Sequence, residues 1–187
     1  IKTIMNKKIK IFDLSEQYKS ISKEVNRNIL GILKSGQYIL GGNVEELEAK
    51  FSKFIGSKYS VSCNSGTDAL VLSLRALNIG HGDEVITTPF TYFATAEAIV
   101  LVGAKPIFVD INPHTFNINY KNIEKYINKR TKAIMPVHIF GQSAEMYEIK
   151  RICRKHNLKL IEDCAQSFGA KKNKKYTGTF GDFGCFS

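Results

Sequence analysis

The chain has 187 residues, 43% of them hydrophobic and 24% charged, with 14 glycines and only 4 prolines. That is enough apolar chain to bury a core, and it excludes a disordered tail, a collagen-like fibre and a disulfide-stapled miniprotein. The net charge of +10 is spread along the chain and is densest at Lys171-Lys172-Asn173-Lys174-Lys175. A nucleic-acid face would cluster arginines with interleaved aromatics, so nucleic acid is not an expected partner, whereas a basic surface suits an anionic small substrate. No run approaches the roughly 18–20 apolar residues of a membrane span. The lysine-bearing N-terminus lacks the apolar block of a signal peptide, so the expected location is the cytoplasm. Cys63, Cys153, Cys164 and Cys185 lie singly in or beside apolar runs. They are expected to be buried, reduced thiols with no metal site.

A short apolar run, Ile9-Lys10-Ile11-Phe12, opens the chain. Ser15 is then placed to cap a helix whose Ile21, Val25, Ile29 and Leu33 share one face, and Gly36 stops it. Asn43-Val44-Glu45-Glu46 resembles a capping box for a second helix, with Leu47, Phe51 and Phe54 inward. From residue 58 strands and helices alternate. Strands are predicted over 59–63, 84–88, 106–110, 133–137 and 158–162, and helices over 66–77, 93–102, 121–127 and 145–156. Repeated β-α units imply an α/β fold, a mainly parallel sheet with helices on both faces. The arm and first helices would occupy 1–57 and the sheet domain 58–187. Because the chain stops inside a strand-like run at Cys185-Phe186-Ser187, the sheet is expected to be incomplete at its C-terminus.

In open α/β sheets ligands bind at the carboxyl ends of strands, often on helix N-termini. Asn64-Ser65-Gly66-Thr67-Asp68 joins a strand to a helix there. Its backbone N–H groups and hydroxyls suit a phosphate with the Asp68 side chain turned away, although an ordinary helix cap reads the same. In Leu160 to Ser167 an acidic pair ends a buried strand. Asp163 there either holds a protonated ring nitrogen or caps the next turn. In Pro89 to Ala96, Tyr92 is placed to stack on a flat ring, while Phe90 and Phe93 read better as core. His138 also ends a strand and reads as a hydrogen-bonded structural histidine.

Together these segments resemble the DegT/DnrJ/EryC1/StrS family. The segments are Gly36 to Gly41, Ser65 to Leu70, Thr88 to Thr95, Pro136 to Gly141, Ile161 to Ser167 and Gly184 to Ser187. The family consists of pyridoxal-phosphate sugar aminotransferases of the aspartate-aminotransferase fold, and the resemblance covers roughly its first half. It implies a three-layer sandwich, the large domain of type I pyridoxal-phosphate enzymes. It also implies that Asp163 is the catalytic partner of the cofactor's pyridinium nitrogen, that Gln166 lies near its phenolic oxygen and that Tyr92 stacks on its ring. Gly66, Thr67, Asp68 and Ser187 match the positions around its phosphate. The family's Schiff-base lysine belongs to an F-S-F-x-P-x-K motif that starts at Phe186 and runs past Ser187.

The resemblance further implies amination of a keto-sugar nucleotide with glutamate as donor, in surface-glycan or lipopolysaccharide biosynthesis, with a lean to the sugar's C3. It implies a homodimer as well, with residues 36–42 and the N-terminal arm near the two-fold interface. Two rivals stand beside this reading. One is a sugar dehydratase of the same family, with histidine replacing the lysine. The other is a non-catalytic regulatory or degenerate fragment.

Overall fold

The computed structural model describes residues 10–187; Ile9 of the opening apolar run lies outside them. The chain divides into two compact units, one ending at Glu46 and one running from Leu47 to Ser187. In the first, helix α1 spans Ser15–Ser35. Ser15 is its first residue rather than its cap: Asp13 Oδ1 accepts the Ser15 N–H at 2.9 Å. Gly36 ends it as expected, in the left-handed conformation (φ 70°) with its N–H bonded to Ile32 O. The predicted apolar stripe is real but uncovered within this unit, since no residue of α1 is buried and Ile21, Ile29 and Leu33 stand exposed.

Helix α2 runs over Gly42–Ile55. It begins one residue before the predicted cap Asn43, so Asn43 lies inside the first turn, and Val44 N–H bonds to Gly41 O at 2.9 Å. In its second half Leu47 is exposed and Ile55 is the buried residue. Phe51 meets Phe186 edge-on at 4.9 Å and Phe54 stacks on Phe168 at 5.3 Å. The inward face is thus an aromatic cluster that remains partly open, Phe54 being exposed.

The second unit continues with α3 (Gly66–Ala76), β1 (Glu84–Thr87), α4 (Ala94–Leu101), β2 (Lys105–Phe108) and α5 (Tyr120–Ile123), which tightens into a 3₁₀ turn to Tyr126. Then follow β3 (Thr131–Ile134), α6 (Met146–His156), β4 (Lys159–Asp163), a small hairpin of β5 (Lys171–Lys172) and β6 (Lys175–Tyr176), and β7 (Phe183–Cys185). The main sheet has the order β2-β1-β3-β4-β7. Every pair in it is parallel. The lysine run is the hairpin, turned by Asn173 and Lys174 with left-handed backbones.

Successive strand residues point to opposite faces, and the core divides accordingly. Ile86, Ile134 and Leu160 join Met146, Ile149 and Ile152 of α6 in one cluster. Val85, Ala133, Met135 and Ile161 join Leu70 and Leu74 of α3 and Ala98 and Ile99 of α4 in the other. Helices therefore cover both faces, the architecture expected from the β-α alternation.

The predicted strand over 59–63 does not form. Tyr59 and Val61 are exposed, and the Ser62 N–H bonds to the Glu48 carboxylate at 2.6 Å. An extended segment becomes a strand only when a neighbouring backbone pairs with it. Here the bond goes to a side chain.

Two buried acids hold the framework. Glu84, at the amino end of β1, meets Arg130 at 2.7 Å and Asn128 at 2.6 Å. The hydrogen bond from Asn128, together with Arg130, keeps its carboxyl below the ordinary value despite burial. Glu162 of β4, fully buried, accepts the N–H groups of Gly178 (2.8 Å), Phe180 (2.6 Å) and Gly181 (2.9 Å) and meets His138 Nε2 at 3.0 Å. It ties β3, β4 and the loop before β7 to one side chain. Glu162→Ala leaves those donors unpaired in the interior and is expected to cost about 3–5 kcal/mol in urea denaturation. Glu162→Gln keeps one acceptor oxygen and should cost less, about 1–3 kcal/mol.

Candidate active site

Strand alternation separates the acidic pair that ends β4. Glu162 points into the α6 face, and Asp163 takes the other side, where α3 and α4 pack. Asp163 is 5% exposed. Its Oδ2 accepts from the Thr95 hydroxyl at 2.8 Å and its Oδ1 from the Ala165 N–H at 3.2 Å. The second bond is the cap-like contact weighed from the sequence. It accounts for one oxygen only.

Unlike Glu84 and Glu162, this carboxylate meets neither a cation nor a full set of donors among the described residues. Desolvation accordingly pushes its pKa above the ordinary value, although Thr95, Ala165 and His138 each pull it down. An ionised carboxylate can accept at about four lone-pair positions, and these contacts fill two. The remaining lone-pair directions of a carboxylate suit a positively charged N–H.

The second part of the site is the start of α3. Ser65 caps the helix, its Oγ accepting the Asp68 N–H at 3.1 Å. That bond occupies the Asp68 N–H, which the family resemblance places around the phosphate together with Thr67. The N–H groups of Gly66 and Thr67, at the first two helical positions, have no acceptor within the helix. Ser187 lies against Gly66. A Cβ built on Gly66 would come within 2.8 Å of Ser187 Cβ and 3.2 Å of its Oγ. Glycine there allows the hydroxyl to approach the helix start. Asp163 is the register partner of Cys185 across β4 and β7, so Ser187 sits two residues further along the same edge of the sheet. Both parts occupy the carboxyl ends of parallel strands.

Tyr92, 82% exposed, stands just before α4, its carbonyl accepting the Thr95 N–H at 3.2 Å. Phe90, expected in the core, is exposed, its ring 5.5 Å from Phe116 and edge-on to Phe140 at 6.2 Å. Phe93, expected in the core, is exposed instead because it lies on the outer side of the turn into α4. Gln166 is exposed in the loop after β4. Its carbonyl lies 3.3 Å from where a Cβ on Gly141 would stand, so that loop rests on the β3 turn.

His138 is the structural histidine the sequence suggested. It is fully buried, and its Nδ1 accepts the Ala144 N–H at 3.1 Å, which assigns the proton to Nε2 and directs it at Glu162. The donor atoms of His138, Glu162 and Cys164 gather within 4.8 Å of one another. Those of His138 and Glu162 are already engaged, and burial holds the Cys164 thiol far above its ordinary pKa. Burial likewise raises Cys153 and Cys185 to about 12. Cys63 departs from the expectation of four buried thiols, being exposed beside the start of α3. Sequence reasoning gave no role to Thr95 or Glu162. The spacing of Thr91 and Thr95, one helical turn apart before an apolar helix, was the available signal for the first.

The geometry agrees with what comparison with known proteins finds. The model of the DegT/DnrJ/EryC1/StrS aminotransferase family matches residues 19–187. A pleiotropic regulatory protein of Geobacillus stearothermophilus is 45% identical over 179 residues, which are 96% of this chain and 48% of that protein. A UDP-2-acetamido-2-deoxy-3-oxo-D-glucuronate aminotransferase of Pseudomonas aeruginosa is 46% identical over 179 residues, 96% of this chain and 50% of the relative. Among solved structures, a DegT DnrJ EryC1 StrS aminotransferase from Brucella abortus superposes with a TM-score of 0.93 at 38% identity, covering 96% of this chain and 50% of that one. NtdA from Bacillus subtilis, with bound cofactor PMP, gives 0.84 at 34% identity, covering 92% and 41%. The chain spans about half the length of the curated relatives it matches. With its parallel sheet, its buried Asp163 and its Ser187–Gly66 contact, the chain belongs to the DegT/DnrJ/EryC1/StrS aminotransferase family.

Proposed function

We propose that this chain carries the cofactor-holding part of a pyridoxal-phosphate-dependent aminotransferase that converts a keto-sugar nucleotide into an amino-sugar nucleotide. Glutamate is the amino donor in this reading, and the product serves surface-glycan or lipopolysaccharide synthesis in the cytoplasm. The observation that carries it is the buried Asp163 carboxylate, short of partners at the same sheet edge as the Gly66–Ser187 cradle. Those two features fit a ligand with a protonated ring nitrogen at one end and a phosphate at the other.

Asp163 would hold the proton on the ring nitrogen, where burial strengthens the charge pair. The N–H groups of Gly66 and Thr67 and the Ser187 hydroxyl would hold the phosphate, with the α3 dipole aiding them. Asp68, its N–H taken by Ser65, contributes the first turn itself. Tyr92 would lie over the ring and Gln166 beside its phenolic oxygen. When bound, pyridoxal phosphate supplies the electron sink that amino-group exchange requires.

A homodimer belongs to the same proposal: the exposed apolar stripe of α1 and the exposed Tyr38, Ile39 and Leu40 need cover. Among the described residues no helix is long and apolar enough to cross a membrane. The regulatory reading keeps some support from the Geobacillus relative's name, and the cofactor spectrum separates the two.

Purified full-length protein with pyridoxal phosphate is expected to absorb in the visible region, and glutamate should shift that band. No band at all would favour the regulator. In light scattering the full-length protein is expected to run at twice its chain mass. Asp163→Asn should slow transamination by about a hundredfold or more, because a neutral partner does not keep the ring nitrogen protonated. The same change should not weaken the cofactor-free fold. With its pKa raised by burial, Asp163 contributes stability fully below its unfolded value and loses it as pH rises through the folded one. At pH 8, cofactor-free Asp163→Asn is therefore expected to melt no lower than wild type.

A further inference from the structure

Three side chains form a single line of hydrogen bonds into the site. Thr91 Oγ1 lies 2.8 Å from Thr95 Oγ1, and Thr95 Oγ1 lies 2.8 Å from Asp163 Oδ2. Thr95 is 1% exposed, in the first turn of α4, and Thr91 is half-buried just before it. A hydroxyl has one hydrogen to give. If Asp163 is ionised, Thr95 must spend its hydrogen on Oδ2, and Thr91 must then donate to Thr95. Both dipoles point at the carboxylate. If Asp163 is protonated on Oδ2, it donates to Thr95 and the line reverses. Both directions keep two hydrogen bonds, but only with the ionised form are both hydroxyl dipoles aimed at a charge, so the line favours the ionised carboxylate and grips one of its oxygens.

We propose that Thr95 is a positioning residue for the cofactor, its hydroxyl oriented by Thr91 so that Asp163 stays ionised and in one rotamer for the ring nitrogen. The proposal rests on the aminotransferase reading above. It follows that cofactor affinity depends on a residue that need not touch the cofactor. The titratable groups around Asp163 are His138 after β3, Cys185 on β7, and its chain neighbours Glu162 and Cys164. Both cysteines are held as thiols by burial, with pKa values raised. His138 is engaged at both ring nitrogens.

The test is a fluorescence titration of pyridoxal phosphate into full-length protein between pH 5 and 9, for wild type, Thr95→Val, Thr95→Ser and Thr91→Val. Valine keeps the shape of threonine and removes the hydroxyl. Thr95→Val should bind about tenfold more weakly at neutral pH, with the pH midpoint of binding moved upward, because an unassisted buried carboxyl ionises later. Thr95→Ser should restore both within about threefold. Thr91→Val should move both in the same direction but by less, and it decides the matter if Thr95→Val does not fold. Unchanged affinity and midpoint in Thr95→Val, or in Thr91→Val where it must stand alone, overturn the proposal. Equal loss in Thr95→Ser and Thr95→Val overturns it too, because that would make the site one of packing alone. Failure of wild type to bind pyridoxal phosphate overturns the functional reading together with this one.

Discussion

An ionised carboxylate in a protein interior must find compensation or take up a proton. Three buried acids in this chain meet that requirement in three ways. Glu84 is paired with Arg130 and Asn128 at the amino end of β1. Glu162 collects three backbone N–H groups and His138. Asp163 has one hydroxyl and one N–H, and its raised pKa records the shortfall. The first two arrangements are complete within the chain and support the fold. The third is incomplete among the described residues, and an incomplete buried charge at the carboxyl edge of a parallel sheet is where a ligand can contribute most.

The rest of the site follows from how that charge is held. Because side chains alternate along β4, Glu162 and Asp163 serve opposite faces from adjacent positions. Glu162 grips the loop that leads into β7, and β7 aligns Cys185 with Asp163. That alignment brings Ser187 to the start of α3, where the missing Cβ of Gly66 leaves room for it. A structural acid and the acid proposed to hold the cofactor are therefore coupled through one strand. Loosening Glu162 would disturb the position of Ser187 without any contact between them. On the other side Thr95, in the first turn of α4, meets Asp163, so the same residue is located by one helix and by the pairing of β4 with β7.

Much of this was legible in the sequence. The alternation of helices and strands from residue 66, the stop at Gly36 and the acidic end of β4 are local signals. They arise from periodicity, backbone conformation and helix or strand propensity, which depend on near neighbours in the chain. The family resemblance was legible for the same reason, since most of its motifs are short turns where helices or strands begin and end.

Tertiary structure decided what depends on partners distant in sequence. Tyr59 to Cys63 has a strand's pattern but pairs with no backbone among the described residues. Phe93 has a core residue's composition yet lies on the outside of a turn, and the α1 stripe has the right spacing without cover in its own unit. Only the fold could separate Glu162 from Asp163 by function, because both are acids in one buried run and differ solely in which face they reach. Thr95 and Asp163 lie 68 positions apart, so no local pattern could link them. Propensity and periodicity act over a few residues, whereas burial, hydrogen-bond satisfaction and charge compensation are properties of the neighbours that folding supplies.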